Sequence, residues 1–368
     1  MNKILFLSPL PPPHYGSAIS SEMCLGILNE DKRFKVHNIK INYSVDMADI
    51  GKLNRDKILG FFKVRRQVRK ELVEFKPDIV YFVPATSGLG LIRDYLLVSK
   101  IKRYCKNVIL HVRSRITDSD WNNLIYRAIY KRMFEKTKVI VLGDSLKSDI
   151  HGIVKEGDLF VLPNAIKNEL GEDEVKKFRD GRLNGPFNIL FLSNMDETKG
   201  WFKLIQACTI LKSRGIEFEC DFVGEFPSKR EENKFKNYVE DNKLKLCVKY
   251  LGKMIGKDKN KVLSKAQVLV FPTEYKLETF GRVIIEGMMF GLPVIANGIA
   301  TIPSIVKDNV SGYVLKKNTP QEIAEFLIKL HLDKKKRFSM GLEGRKIFLR
   351  NFELRNYAPR FKRIIKLA

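Results

Sequence analysis

Short apolar runs alternate with longer amphipathic stretches along almost the whole chain, and this alternation limits the fold more than any single motif does. The runs are KILFLSP (3–9), DIVYFVP (78–84), NVILHV (107–112), VIVLG (139–143) and LFVLP (159–163). After a gap come NILFLSN (188–194), FECDFVG (218–224), VKYLG (248–252), VLVFP (268–272) and PVIA (293–296). Most are continuously apolar, as strands covered on both faces of a parallel sheet must be. The stretches between them have helical length and spacing: in GFFKVRRQVRKELVEF, Phe61, Val64, Val68, Leu72 and Phe75 share one face. Repeated strand–helix–strand units make right-handed crossovers and build doubly wound α/β sheets.

The gap, KNELGEDEVKKFRDGRLNGP (167–186), is polar and charged and separates two sets of about five strands. A chain of 368 residues is comfortable as two such domains. The expected division is an N-terminal Rossmann-like domain over 1–170, a linker over 171–186 and a C-terminal Rossmann-like domain over 187–350. A final helix over 351–368 is expected to return to the first domain. Polar or Gly/Pro-rich loops follow most strand ends: PLPPPHYGS, PATSGLG, RSRITDSD, SNMDETKG, EFPSK and TEYKLETFG. Ligands of open parallel sheets bind beyond the carboxyl ends of the strands. Two sheets facing each other would bring these loops to a central cleft.

Composition removes several classes. No apolar run approaches the roughly 20 residues of a membrane span. The opening MNKILFLSPLPPPH reads as a first strand and its loop rather than a signal peptide, because Pro9, Pro11, Pro12 and Pro13 cut the apolar segment short. Cys24, Cys105, Cys208, Cys220 and Cys247 form no CxxC pair and the five histidines form no cluster. That argues against a disulfide framework and a structural metal, and fits a reducing cytoplasm. The net charge of +25 attracts anions. Residues 51–150 alone hold 22 Lys and Arg against 10 Asp and Glu. Nucleic acid, anionic lipid and phosphorylated small molecules all answer that description, but no nucleic-acid module is recognisable.

The stretch ETFGRVIIEGMMFGLPVIA (278–296) places Glu278 and Glu286 eight residues apart in otherwise apolar surroundings, with Arg282 between them. An unpaired buried carboxylate is costly. A helix beginning near Phe280–Gly281 offers free amides and a positive dipole end to an anion. Eight residues span roughly 12 Å, about the length of a nucleoside diphosphate from ribose to sugar. The alternative is a buried helix whose glutamates reach solvent at its edges.

This block, extended through NGIATIPSIVKDNVSGYVL, resembles the E-x7-E region of the retaining GT-B glycosyltransferases of family four. The resemblance is strongest over 248–315 and weaker in the N-terminal half. It implies a GT-B fold and transfer of a sugar from a nucleoside diphosphate onto a hydroxyl, without a metal or other cofactor. By the resemblance Glu278 meets the donor sugar's hydroxyls and Glu286 the ribose, while Phe280 and Gly281 present amides near the diphosphate. Gly287, where the family more often has Ala, is expected beside the ligand. In FLSNMDETKGW, Lys199 matches the family's phosphate lysine, whereas Asn194 stands where an arginine is usual. Arg282 is a candidate for the missing positive charge. At the end of NVILHV, the resemblance puts a histidine beside the donor sugar, and His111 is preferred to Arg113 for that place. A core histidine satisfied by a backbone partner is the alternative. Gly16 in PPPHYGSAIS corresponds to a glycine of the family's first loop, and LPNAI (162–166) to its element before the interdomain linker. Asp118 and Asp120 in RITDSDW have the spacing of a metal-binding pair but read as a helix-capping loop.

The expected catalytic residues are therefore Glu278, Lys199 and His111. The expected donor-binding residues are Glu286, Phe280, Gly281, Arg282, Asn194 and Gly16. The acceptor is expected to be a glycan or lipid-linked oligosaccharide, and the location cytoplasmic or peripheral on the inner membrane face. The basic aromatic stretches 61–70 and 121–136 are candidates for contact with anionic lipid. A nucleotide-sugar epimerase, or a non-catalytic basic protein binding membrane or nucleic acid, is the alternative. The need for a separate acceptor separates the first of these, and steeply salt-dependent binding of nucleic acid the second.

Overall fold

The structure is a computed structural model that describes residues 1–12, 15–41, 55–183 and 185–367. The chain divides into two compact units, Met1–Asn164 with Arg355–Ala368, and Ala165–Leu354.

The first unit holds a six-stranded parallel sheet. Its strands are β1 (Asn2–Ser8), β2 (Phe34–Lys40), β3 (Ile79–Phe82), β4 (Val108–His111), β5 (Lys138–Val141) and β6 (Leu159–Val161). Their order is β2-β1-β3-β4-β5-β6. The second unit repeats the plan with β7 (Asn188–Leu192), β8 (Glu219–Val223), β9 (Val248–Gly252), β10 (Val268–Phe271), β11 (Val294–Asn297) and β12 (Gly312–Leu315). Here the order is β12-β11-β10-β7-β8-β9. Each sheet grows outward in one direction and then restarts on the other side of its first strand. The reversal falls between β1 and β3 in one unit and between β7 and β10 in the other. These are the points where loops at the carboxyl ends diverge and leave a crevice.

All ten apolar runs of the sequence are strands. The two strands that periodicity did not single out, β2 and β12, are the terminal strands at one end of each sheet. In β2 only Phe34 and Ile39 are buried while Lys35, Asn38 and Lys40 face outward. An edge strand with one wet face lacks the continuous apolar run that marks its neighbours.

The expected linker over 171–186 is instead largely a helix of the second unit, Glu172–Leu183, and the units part at Asn164–Ala165. The helix is polar outside, but Val175 and Arg182 are buried. The Arg182 guanidinium donates to the carbonyls of Ser264, Leu263 and Phe290 at 2.9, 3.1 and 3.1 Å. Burial pushes its pKa down to about 9. Arg345, 2% exposed, donates to the carbonyls of Met289 and Leu170 at 2.5 and 3.0 Å, and pairs with Glu172 at 2.7 Å. Two buried guanidiniums thus fasten a stretch whose polarity reported only its wet side.

The last helix, Leu354–Lys366, packs on the first unit through Tyr357, Phe361, Ile364 and Ile365. The Phe361 ring meets Tyr81 edge-on at 5.7 Å. The stretch 121–136 covers the end of one helix, Asp118–Asn122, and all of another, Leu124–Phe134. Ile129, Tyr130, Met133 and Phe134 point inward, whereas Leu124 and Ile125 are 70% and 67% exposed. Asp120 accepts from the Thr117 hydroxyl at 2.7 Å while its amide donates back to that oxygen, which caps the helix start. All five cysteines are free thiols. Among the described residues no helix is long and apolar enough to cross a membrane, and no three His, Cys, Asp or Glu side chains gather as a metal site.

Candidate functional site

The loops after β7 and β10 flank the reversal of the second sheet. The β7 loop makes a short 3-10 turn, Glu197–Lys199, capped by the Asp196 carboxylate on the Thr198 amide at 2.8 Å. Gly200 follows with φ +88°, and a Cβ there would lie 2.2 Å from the Pro272 carbonyl oxygen at the end of β10. Only glycine permits this approach. The loops are joined again where the Glu274 amide donates to the Thr198 carbonyl at 2.6 Å. From the far side, Asn318 and Asn297 donate to the carbonyls of Pro272 and Thr273 at 3.1 and 2.8 Å. Lys199 therefore stands on a loop fixed from both sides.

Its ammonium meets the Glu278 carboxylate at 2.9 Å and lies 3.9 Å from the centre of the Tyr275 ring. Burial, and then the nearby charge of Glu278, raises the Tyr275 pKa, so the ring stays a neutral phenol. The other Glu278 oxygen accepts from the amides of Gly281 at 3.0 Å and Phe280 at 3.4 Å. The helix proper runs Arg282–Met289, with Gly281 as its left-handed N-cap at φ +68°. Phe280 is buried against Phe352 and contributes backbone alone. The two amides expected to face a diphosphate are thus already held by Glu278.

Glu286 is 8% exposed. It is not unpaired: Lys259, on the helix Gly256–Lys265, meets it at 2.9 Å, and Arg282 lies 3.5 Å away one turn earlier. A carboxylate in an apolar helix is tolerated here because two cations neutralise it. Arg282 is accordingly turned toward Glu286. The missing side chain of Gly287 faces β10. A Cβ there would lie 2.8 Å from a Leu269 methyl, so glycine lets the helix sit close against β10. Asn194, just past β7, is exposed.

In the first unit Gly16 opens the helix Gly16–Asn29 directly after the β1 loop, with open space where a Cβ would stand. His14 and Pro13 of that loop lie outside the described residues. His111 ends β4 with no exposed surface. Its Nδ1 is 2.6 Å from the Tyr81 hydroxyl and 3.5 Å from the Arg113 guanidinium, and its Nε2 has no hydrogen-bond partner among the described residues. Burial, and then the charge of Arg113, holds its pKa well below 6.5, so the ring is neutral. Arg113 is itself buried, reaching the Ser17 carbonyl at 3.3 Å and the Cys24 sulfur at 3.4 Å. Cys24 in turn contacts the Tyr357 hydroxyl at 3.1 Å. His111 and Arg113 are alike enclosed.

Lys259 and Tyr275 were not anticipated. Lys259 is one of several lysines in GKDKNKVLSK, and nothing local marks it out, since its partner is 27 residues away.

What these residues hold together is a lysine, two amides and a carboxylate at a sheet reversal, with a second carboxylate–cation pair along the same helix. Comparison with known proteins agrees. Residues 172–347 match the model for glycosyl transferases group 1. Over 158 residues the chain is 30% identical to the amylovoran biosynthesis glycosyltransferase AmsK of Erwinia amylovora. That match spans 42% of this chain and 38% of its relative, well under two thirds of the relative's length. The capsular polysaccharide biosynthesis glycosyltransferase CapM of Staphylococcus aureus is 25% identical over 319 residues, which are 83% of this chain and 80% of that one. Among solved structures, Anabaena HepE in complex with UDP superposes with a TM-score of 0.76 at 18% identity, covering 100% of both chains. Residues 172–347 therefore match the glycosyl transferases group 1 family, and the chain that carries them has the GT-B fold.

Proposed function

We propose that this protein is a glycosyltransferase that takes a sugar from a nucleoside diphosphate sugar and passes it, with retention at the anomeric carbon, to a hydroxyl of a glycan or lipid-linked oligosaccharide. The process served is bacterial surface polysaccharide synthesis. The observation that carries this reading is the meeting of Lys199, Glu278 and the Gly281 amide at the β7–β10 reversal. Negative charge develops on the departing diphosphate, so a fixed cation and an aligned amide stabilise the transition state more than the bound donor. Glu278 orients the sugar through its hydroxyls, and Glu286 with Lys259 anchors the ribose end. Asn194 supplies a neutral contact where a cation is absent. His111 is assigned a positioning part, because an enclosed ring touches no substrate. The reaction is proposed to need no metal. The names of AmsK and CapM support the process, and the complexes of HepE with UDP and with UDP-glucose support the donor class.

The protein is proposed to work in the cytoplasm at the inner face of an anionic membrane. Leu124 and Ile125 stand exposed beside Arg127 and Lys131, and exposed Phe62 lies among Lys63, Arg65 and Arg66. Cosedimentation with phosphatidylglycerol vesicles, lost in Leu124→Asp/Ile125→Asp, tests this.

The central test is thermal stabilisation by UDP-, GDP-, ADP- and TDP-sugars, followed by transfer to an acceptor extract. One donor class present at 100 times its Kd should raise stability by about 2.7 kcal/mol. Glu278→Ala should then remain folded and bind that nucleotide without transferring. Uniform indifference to all four donors would sink the reading.

A further inference from the structure

Lys199 and the Gly281 amide are the two groups best placed to receive a phosphate, and one carboxylate holds both. Glu278 directs one oxygen to the lysine at 2.9 Å and the other to the amide at 3.0 Å, so it sits as an internal anion in the phosphate seat. Its side chain is 14% exposed and the lysine's 17%, which makes the pair shallow enough to be opened by a competing anion. The lysine has a second support, the Tyr275 ring at 3.9 Å, so it keeps its place if the carboxylate leaves. The loop beneath it is fixed by the Gly200–Pro272 approach, so the seat does not collapse when vacated.

We propose that Glu278 is a specificity-determining residue that makes the site favour a loaded sugar nucleotide over the spent nucleoside diphosphate. This rests on reading the site as one for nucleoside diphosphate sugars. Any diphosphate that enters must displace the Glu278 carboxylate from Lys199 and from the amide. When the diphosphate carries a sugar, the displaced carboxylate accepts hydrogen bonds from the sugar hydroxyls, and its lost contacts are replaced. When the diphosphate is bare, the carboxylate is left close to a like charge with no hydroxyl to accept from. It then competes for its own seat and drives the spent nucleotide out. One residue thus rewards the donor and disfavours the product.

The test uses the full chain and two probes, inorganic pyrophosphate and the nucleoside diphosphate of whichever donor stabilises the protein, measured by titration calorimetry. Glu278→Gln keeps an oxygen to cap the Gly281 amide but removes the charge that holds Lys199. The variant should bind both probes about tenfold tighter than the wild type, while its affinity for the sugar nucleotide falls. Lys199→Met should abolish the gain when combined with it. Equal or weaker binding of both probes by Glu278→Gln, with the wild type binding normally, overturns this inference and leaves the transferase reading standing. No binding of either probe by either protein overturns both. Circular dichroism of the Gln variant guards against a folding defect, and Glu278→Asp, with its shorter reach, should fall between wild type and Gln for pyrophosphate.

Discussion

Tyr81, His111, Arg113, Cys24 and Tyr357 form a polar cluster in the first unit in which no residue is more than 7% exposed. In the second unit the side chains of Lys199, Glu278 and Lys259 keep 17, 14 and 27% of their surface open, while Glu286 is buried beside them at 8%. The first cluster has a buried guanidinium among neutral phenols, an imidazole and a thiol. The second is made of carboxylates paired with cations. A shallow ion pair holds its members where a ligand can replace one of them, and its own contribution to stability is modest. A deep network built around one enclosed guanidinium has nowhere to go when a partner is removed, so it serves the fold. Depth and charge together, more than residue type, separate a site from a core.

The contrast can be broken most forcefully through Lys199. Replacing it with Ala should lower turnover about 10²–10³-fold, with little change in thermal unfolding. A large loss of stability instead would place Lys199 with the core class. Next, Tyr81→Phe takes the hydroxyl from His111 and leaves its buried Nδ1 with only the longer contact to Arg113. Denaturant unfolding should show a loss of about 1–3 kcal/mol, and donor binding measured by thermal shift should be unaffected. A donor-binding defect in that variant would give the first unit's cluster a role at the site.

The third prediction concerns pH. Above the ordinary histidine value of 6.5, His111 is neutral both folded and unfolded. Below it the unfolded chain takes up a proton that the folded one refuses. Stability should therefore fall with decreasing pH, by up to about 1.4 kcal/mol per unit from this one group. Unfolding curves for wild type and His111→Gln between pH 7 and 5 should diverge by that amount, and parallel curves would remove His111 from the account. The smallest effect belongs to Glu286. Glu286→Gln should weaken nucleotide binding about fivefold and shift stability by no more than about 1 kcal/mol, because Lys259 can turn to solvent.

Legibility in the sequence followed the same division. Interior strands such as β1, β3 and β10 announced themselves because both faces are dry, whereas β2 kept a wet side and was silent. β12, four residues long and largely buried, was silent as well. Glu278 and Lys199 could be found because their loops carry a recognisable spacing. Lys259 could not, because its ion pair joins two helices and leaves no local trace. The helix Glu172–Leu183 was hidden for a related reason. Its burial is carried by Val175 and by Arg182, whose hydrogen bonds go to backbone carbonyls that no side-chain pattern reveals. His111 was legible as a residue of interest but not as an enclosed one, since alternation along a strand says which faces differ and not whether either is wet.

Arg182 and Arg345 have a consequence beyond fastening one helix to another. They grip the carbonyls of Phe290 and Met289, which close the helix that begins at Arg282. That helix has eight residues and is only about 12 Å long. In so short a helix the negative pole ordinarily lies close enough to offset much of the field at the positive one. Two guanidiniums seated on the last carbonyls cancel that opposing pole from inside the protein, where solvent screens it least. The amides of Phe280 and Gly281 then stand at the mouth of what is electrically a one-ended object, and its field reaches farther toward an incoming anion than the helix's length would allow.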